Sequence, residues 1–204
     1  GIITALGSIN GVAYSSATET QKDAWLVDNA DRVLFGASKS NASSNDHSTS
    51  LGNIDGTTDK LTPEALSLMK RIAQTSSPKI TPIRLKEDEE WFVVFANSRA
   101  FRDLATNATM TQANRDARDR GVENVLFNGG SLIWDGMIIR EIPEIDVVTG
   151  VGAAGIDVGQ VYLCGAQAVG VAWAQRPKTT PNVRAYAFVH GVGVQEIRGI
   201  EKLL

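Results

Sequence analysis

Apolar and polar positions along the 204 residues fall into blocks of different period, and those periods predict the elements. Residues 1–36 open as a Gly/Ala/Ser-rich segment. They then read as a helix from Thr18 to Phe35, with Ala24, Trp25, Val27, Val33 and Leu34 mixed among Asp28 and Asp31, and Gly36 as its stop. From Ala37 to Asp59 the chain is Ser/Asn/Thr/Asp/Gly-rich with almost no apolar anchors. That pattern predicts a long surface loop or interaction arm.

Leu61-Thr62-Pro63-Glu64 announces the most secure helix. Thr62 can cap it, Pro63 suits the first helical position, and Glu64 favours the positive end of the dipole. Leu61 and Leu66 are spaced as a staple across the cap, Leu66, Met69, Ile72 and Ala73 share a face, and Pro78 lies beyond the end. A charged turn follows from Arg84 to Glu90. Trp91 to Ala96 is then apolar on both faces and predicts a strand buried on both. Asn97 or Ser98 caps the next helix, whose inward stripe is Ala100, Phe101, Leu104 and Ala105. A shorter helix runs from Thr111 to Arg120 and stops at Gly121.

Asn124–Gly130 and Ser131–Ile139 read as strands broken at Asn-Gly and Asp-Gly, which accept the positive φ of hairpin turns, so a meander is predicted. Val161 to Ala174 carries a small-residue surface at Gly165, Ala166, Ala168, Gly170 and Ala172. Close packing against another backbone is expected there, as a buried helix or a strand-helix pair. The tail from Val183 to Val194 predicts a final strand or two, bent at Gly191 and Gly193.

Composition narrows the function classes. Hydrophobic residues make up 43% and charged ones 21%, ordinary globular usage, and a net charge of -3 gives no global basic field for gripping nucleic acid. One cysteine, Cys164, cannot form an internal disulfide, and with His47 and His190 as the two histidines no Cys/His zinc quartet can be assembled. The longest apolar stretch, Val161 to Ala174, is shorter than the roughly 20 residues that span a bilayer, so a soluble protein is predicted. The first residue is Gly1 and no secretory pattern follows, so an upstream segment is expected.

Candidate chemistry is thin. Gly150-Val151-Gly152-Ala153-Ala154-Gly155 matches the dinucleotide fingerprint G-x-G-x-x-G, but no Asp or Glu lies between Val158 and Gln195 to hold a ribose. The competing reading it supports is a small α/β enzyme or nucleotide-binding domain; a Gly/Ala loop is preferred. His47 lies in a polar segment and Cys164 in an apolar one, where a thiol is an inert small hydrophobe, and His190 reads as a strand-end residue. Glu87 to Glu90 reads as a solvated turn, and Asp55 to Asp59 lacks the oxygen ligands of a calcium loop. No catalytic residue, metal or cofactor is expected. Arg115, Arg118 and Arg120 stand among Asp116 and Asp119, a pattern for intersubunit salt bridges. Trp25, Trp91, Trp134 and Trp173 are anchors for core or interface, core being preferred for each.

The order of motifs carries more than any one of them. The Thr62-Pro63-Glu64-Ala65-Leu66 helix is followed by WFVVFANSRAFRDLATN from Trp91, VLFNGGSLIWDGMIIREIPEI from Val125 and VYLCGAQAVGVAWAQ from Val161. Over residues 60–195 this order resembles tailed-bacteriophage major capsid proteins, with their strand-helix joint, strand pair and late helix. The resemblance implies an α+β subunit of Hong Kong 97 type, with axial and peripheral domains and a spine helix. It implies a spine-like segment in residues 1–36 (Thr18–Phe35), a polar loop in 37–60, a mostly axial domain in 61–150 and a return to the peripheral domain in 151–204. It also implies a structural, non-enzymatic role: self-assembly through hexameric and pentameric capsomers into an icosahedral virion shell in the host cytoplasm. Double-stranded DNA would be contacted non-specifically, decoration, scaffold and portal proteins would be partners, and no membrane would be involved. Trp25, Arg115, Arg118 and Arg120 are then the candidate subunit-interface residues.

Overall fold

The computed structural model describes residues 8–9, 12–86, 89–117, 132–167, 169–184 and 189–202. They divide into two units, Gly1–Ala166 and Gln167–Leu204.

The first unit is built on β4 (Glu89–Ala96), the strand read from Trp91–Ala96 and extended by two residues. One edge of β4 pairs antiparallel with β3 (Ile83–Lys86) and then, further along, with β9 (Val161–Cys164). The other edge pairs parallel with β6 (Met137–Glu141), which pairs antiparallel with β5 (Leu132–Trp134). The expected charged turn at 84–90 is therefore largely strand. The described part of the expected meander, the β5–β6 hairpin, forms, while β6 also pairs parallel with β4. A parallel pair needs a crossover, and α4 (Ser98–Ala105) and α5 (Ala108–Ala117) lie between β4 and β6 in the chain. The strand expected at 124–130 lies outside the described residues.

Alternation sets the core. Phe92, Val94 and Ala96 share a face with Met137, Ile139 and Leu132, and all six are buried with Leu66, Ala73, Leu104 and Met110 from the helices. Val93 and Phe95 on the opposite face are half-buried, so β4 is sealed on one face only, where the helices pack. At Asp135-Gly136 both residues have positive φ, 47° and 73°, giving the hairpin turn that the dipeptide predicts. Lys70 Nζ donates to the Asp135 carbonyl at 2.6 Å and holds that turn to α3 (Pro63–Thr75).

Helix α3 forms as its signals require. Thr62 Oγ1 accepts from Ala65 N–H, Pro63 is in the first turn, and Leu66, Ile72 and Ala73 are buried. Helix α5 begins three residues earlier than expected. Ala105 of α4 is exposed, while Ala100 and Leu104 are buried.

A smaller core joins α1 (Glu19–Asn29) to the segment read as a loop. Leu26, Phe35 and Ile54 are buried there, with Trp25, Val33 and Leu51 packed against them. Helix α1 is eleven residues long and ends at Asn29, so the helix expected to reach Phe35 is cut short. The 37–59 loop is corrected more fully: it contains α2 (His47–Gly52), with His47 and Ser50 buried. Its anchors are polar groups with partners. Asp46 caps α2 by accepting from Thr49 N–H at 2.8 Å. Ser50 Oγ donates to Asp46 O at 2.6 Å and accepts from Ser43 N–H at 2.9 Å. Asp59 accepts from Ala37 N–H, Asn41 Nδ2 and Asp55 N–H. Its carboxylate lies against Gly36, where a Cβ would collide at 2.6 Å, and the φ of +61° there also favours glycine. Before α1, β1 (Ser8–Ile9) pairs with β2 (Val12–Ala13).

The second unit is one hairpin, β10 (Val169–Arg184) against β11 (Val189–Lys202). This overturns the helix expected within Val161–Ala174. Large and small residues alternate with period two through Val169, Gly170, Val171, Ala172 and Trp173, which is strand rather than helix spacing. Close backbone packing does occur at Gly165, where Thr81 leaves no room for a Cβ and Ala166 N–H donates to Thr81 O at 2.7 Å. Gly191 and Gly193 lie inside β11 opposite Asn182 and Thr180, not at a bend.

Candidate functional site

Asn97 is the joint between sheet and helix. It is 4% exposed; its Oδ1 accepts from Arg99 N–H at 2.9 Å, and its own N–H donates to Gln160 O at 3.2 Å. Its Nδ2 also donates to Ile145 O, tying a distant segment to the end of β4. Ser98 is the first residue of α4 rather than its cap. All of Asn97's polar groups are engaged in structure, and Arg99, two residues on, pairs with Asp157 at 2.9 Å. A joint of this kind positions backbone.

The Gly150–Gly155 loop follows β7 (Val147–Val148) and returns through a short 3-10 turn at Ala153–Gly155 to β8 (Val158–Gly159), its antiparallel partner. No helix opens at its third glycine, so the helix N-terminus that would face a pyrophosphate is not formed. Gly152 is instead packed on Ile156 and Ile54 O. The loop is a hairpin connection.

His47 is buried against aromatic rings. Its Nε2 shares a hydrogen bond with Tyr14 Oη at 3.2 Å, and Tyr14 and Phe35 meet its ring edge-on. Burial, and then the nearby Lys22 ammonium, push His47 below its ordinary value. Burial, with Glu19 and Tyr162 adding to it, pushes Tyr14 up to about 12. Both groups are thereby held neutral near pH 7, as a packed polar pair rather than an acid and a base poised for proton transfer. Cys164 lies in β9 opposite Val93, and His190 is the second residue of β11. Among the described residues no group of three His, Cys, Asp or Glu side chains could hold a metal ion, and no helix is long and apolar enough to cross a membrane. The Asp55 carboxylate folds back onto Thr57 and Thr58 N–H and stays below the usual carboxylate range through those bonds.

Of the interface candidates, Trp25 is half-buried against the small core. Arg118, Arg120 and the side chain of Arg115 lie outside the described residues. Trp91 and Trp134 are half-buried, and Trp173 is 45% exposed, against the expectation of core, with the Arg198 guanidinium 5.9 Å from its ring. The surface that stands out is the hairpin. Val169, Val171, Val183, Val192, Val194, Ile197 and Ile200 are all exposed there.

The profile of phage capsid proteins matches residues 3–204. The chain belongs to the phage capsid protein family. This phage capsid chain is 30% identical over 148 residues to the major capsid protein of Pseudomonas phage KPP25, a match covering 69% of the chain and 39% of that protein. Its fold matches a subunit of the Cyanophage Pam1 capsid asymmetric unit with a TM-score of 0.83 and 39% identity, over 100% of this chain and 60% of that one. A subunit of the capsid of Ralstonia phage GP4 matches at a TM-score of 0.58 and 19% identity, over 85% of this chain and 48% of that one, a likeness of fold alone. The capsid chain thus spans 39–60% of the length of these relatives. Its mixed helix and strand architecture is that of phage capsid subunits.

Proposed function

We propose that this chain is the structural subunit of an icosahedral phage shell, a major capsid protein that self-assembles around double-stranded DNA. The observation that carries the reading is the match of the whole chain to a Pam1 capsid subunit at 39% identity. Within it, the subunit is of Hong Kong 97 type. Residues 61–150 supply most of an axial domain, residues 151–204 return to a peripheral domain, and α1 belongs with the peripheral part. Copies associate as hexameric and pentameric capsomers in the host cytoplasm, with Trp25, Arg115, Arg118 and Arg120 at contacts between subunits. Scaffold, portal and decoration proteins are its partners in the shell, and packaged DNA is contacted without sequence preference. The role is structural and asks for no catalysis. A shell needs large interfaces that close by symmetry, and obligate ones often exceed about 2,000 Å².

Negative-stain electron microscopy and light scattering on the protein expressed from its whole reading frame test this. Capsomers or closed particles are expected. A stable monomer under all assembly conditions would overturn the reading.

A further inference from the structure

We infer that His47 is an acid-sensitive latch: its neutral ring holds α2 and the 3-10 turn at Tyr14–Ser16 against α1, and its protonation lets that corner open while the β4 sheet stays folded. The inference goes beyond the capsid reading and does not depend on it.

Little else closes the corner. Helix α2 is six residues long, too short to persist unpacked, and its buried residues are His47 and Ser50. The chain enters it through Ser44 and Asn45, both at positive φ, 45° and 59°, a backbone state that non-glycine residues adopt at a cost. The small core of Leu26, Phe35 and Ile54 is separate from the larger cluster under β4, and local openings are drawn from such thinly packed units. Across this corner the closing contacts are made by His47 itself. Tyr14 Oη lies 3.2 Å from its Nε2, the Tyr14 and Phe35 rings meet it edge-on, and its backbone N–H donates to Asp23 Oδ1 at 2.8 Å.

A charged imidazole is poorly served there, because each nearby carboxylate already has a partner. On α1, Glu19 takes Lys22 Nζ at 2.8 Å and Asp23 takes the His47 backbone N–H. Lys22 also brings a like charge, 5.0 Å from the centre of the Tyr14 ring. At the cap of α2, Asp46 accepts from Thr49 N–H at 2.8 Å and from the Ser48 hydroxyl at 2.9 Å. Tyr14 stays a neutral phenol, with Tyr162 the other phenol acting on it, and the β7–β8 hairpin presents Val148 and Val151. Burial and Lys22 therefore outweigh the pull of Glu19, Asp23 and Asp46. A cleft of about 190 Å³ bordered by Tyr14, Lys22, Ser48 and Val151 lies beside the ring and gives solvent a way to it.

Hydrogen exchange of the 204-residue chain, followed by mass spectrometry at pH 7.5 and 5.5 and corrected for intrinsic rates, tests the latch. Amides of α2 should be less protected than those of β4 at both pH values, and their protection should fall several-fold at pH 5.5. An open imidazole with the ordinary value of 6.5 is about nine-tenths protonated there, which caps the fall at roughly tenfold. His47→Gln should remove it. Lys22→Gln deletes the like charge and releases Glu19, so it should shrink the fall with His47 still in place; a mere loss of packing would lower protection equally at both pH values. Protection in α2 equal to that in β4 would overturn the latch, by showing that the corner opens only with the sheet. So would protection that is the same at both pH values. An undiminished fall in Lys22→Gln would overturn it as well, whether or not His47→Gln folds.

Discussion

The sheet around β4 and the β10–β11 ribbon are both largely antiparallel, yet they hold their side chains in opposite states. Along β4 every second side chain from Phe92 to Ala96 is buried under α3, α4 and α5. Along the ribbon every described side chain is exposed except at Gly170 and Gln175. Both have backbone ladders with local register shifts, two in the ribbon and one between β3 and β4, so hydrogen bonding does not separate them. Burial does. The sheet is stabilised within one chain, by apolar area removed from water at about 25 cal/mol per Å². The ribbon presents comparable apolar groups that gain that term only when a surface arrives. A shell protein needs both kinds of region, one to fold and one to associate.

Truncating one buried and one exposed side chain sharpens that contrast most. Leu104 is fully buried between α4 and the sheet, and Leu104→Ala should cost about 2–5 kcal/mol through lost transfer energy plus a cavity. Val194→Ala, measured on dilute monomeric subunit, should stay within about 0.5 kcal/mol of native. Urea unfolding of the two variants provides the check. A loss at Val194 as large as that at Leu104 would mean the ribbon is covered within its own chain, and the comparison would fail.

The joint comes next in size. Asn97→Ala removes a cap and also leaves the Ile145 carbonyl without its side-chain donor, so about 2–3 kcal/mol is expected, more than for a cap alone. Thermal melting of Asn97→Ala beside Thr62→Ala, which loses a cap and should cost about 1 kcal/mol, separates the two roles. Equal losses would show that the Ile145 bond contributes nothing.

What could be read in advance divides along the same line. The Thr62-Pro63 cap, the Asp135-Gly136 turn and the Ala100 and Leu104 positions of the α4 stripe are local, fixed by residues within one helical turn or one hairpin, and each forms as its residues dictate, though Ala105 of that stripe is exposed. Helix α2 was hidden because its burial depends on hydrogen bonds that composition does not display. Ser50 is saturated by Ser43 and Asp46, and Asp59 gathers donors from Ala37 to Asp55. The parallel pairing of β4 with β6 is equally hidden, since the two strands lie far apart in the chain and nothing local to either announces its partner. In the ribbon the signal was present in the alternation of Val169, Val171 and Trp173 with Gly170 and Ala172. The small residues suit close helix packing equally well, and the period alone separates the two. Of the interface candidates, Trp25 rests on its residue type and on the family resemblance, and a large aromatic side chain by itself does not tell the half-buried edge of a core from a contact between subunits.

The smallest effect expected is linked to pH and belongs to the folded core. His47 is packed between Tyr14 and Phe35, and the charged groups around it are Lys22, Glu19, Asp23 and Asp46, with Asp23 accepting from the His47 backbone N–H. Its folded value lies below the ordinary 6.5, chiefly through burial and then through Lys22. The unfolded chain therefore binds the proton first as pH falls. The stability that His47 contributes is complete above about 6.5 and declines as pH drops through that value toward the folded one. Urea midpoints of the native chain should thus fall between pH 7 and pH 5.5, before most carboxylates titrate, and His47→Gln should flatten that slope at some cost in stability at pH 7. The ribbon contributes nothing to this slope if its side chains are solvated as they stand, so removing residues 167–204 should leave it unchanged. A slope that survived His47→Gln, or that vanished with the ribbon, would place the pH-sensitive burial in the wrong half of the molecule.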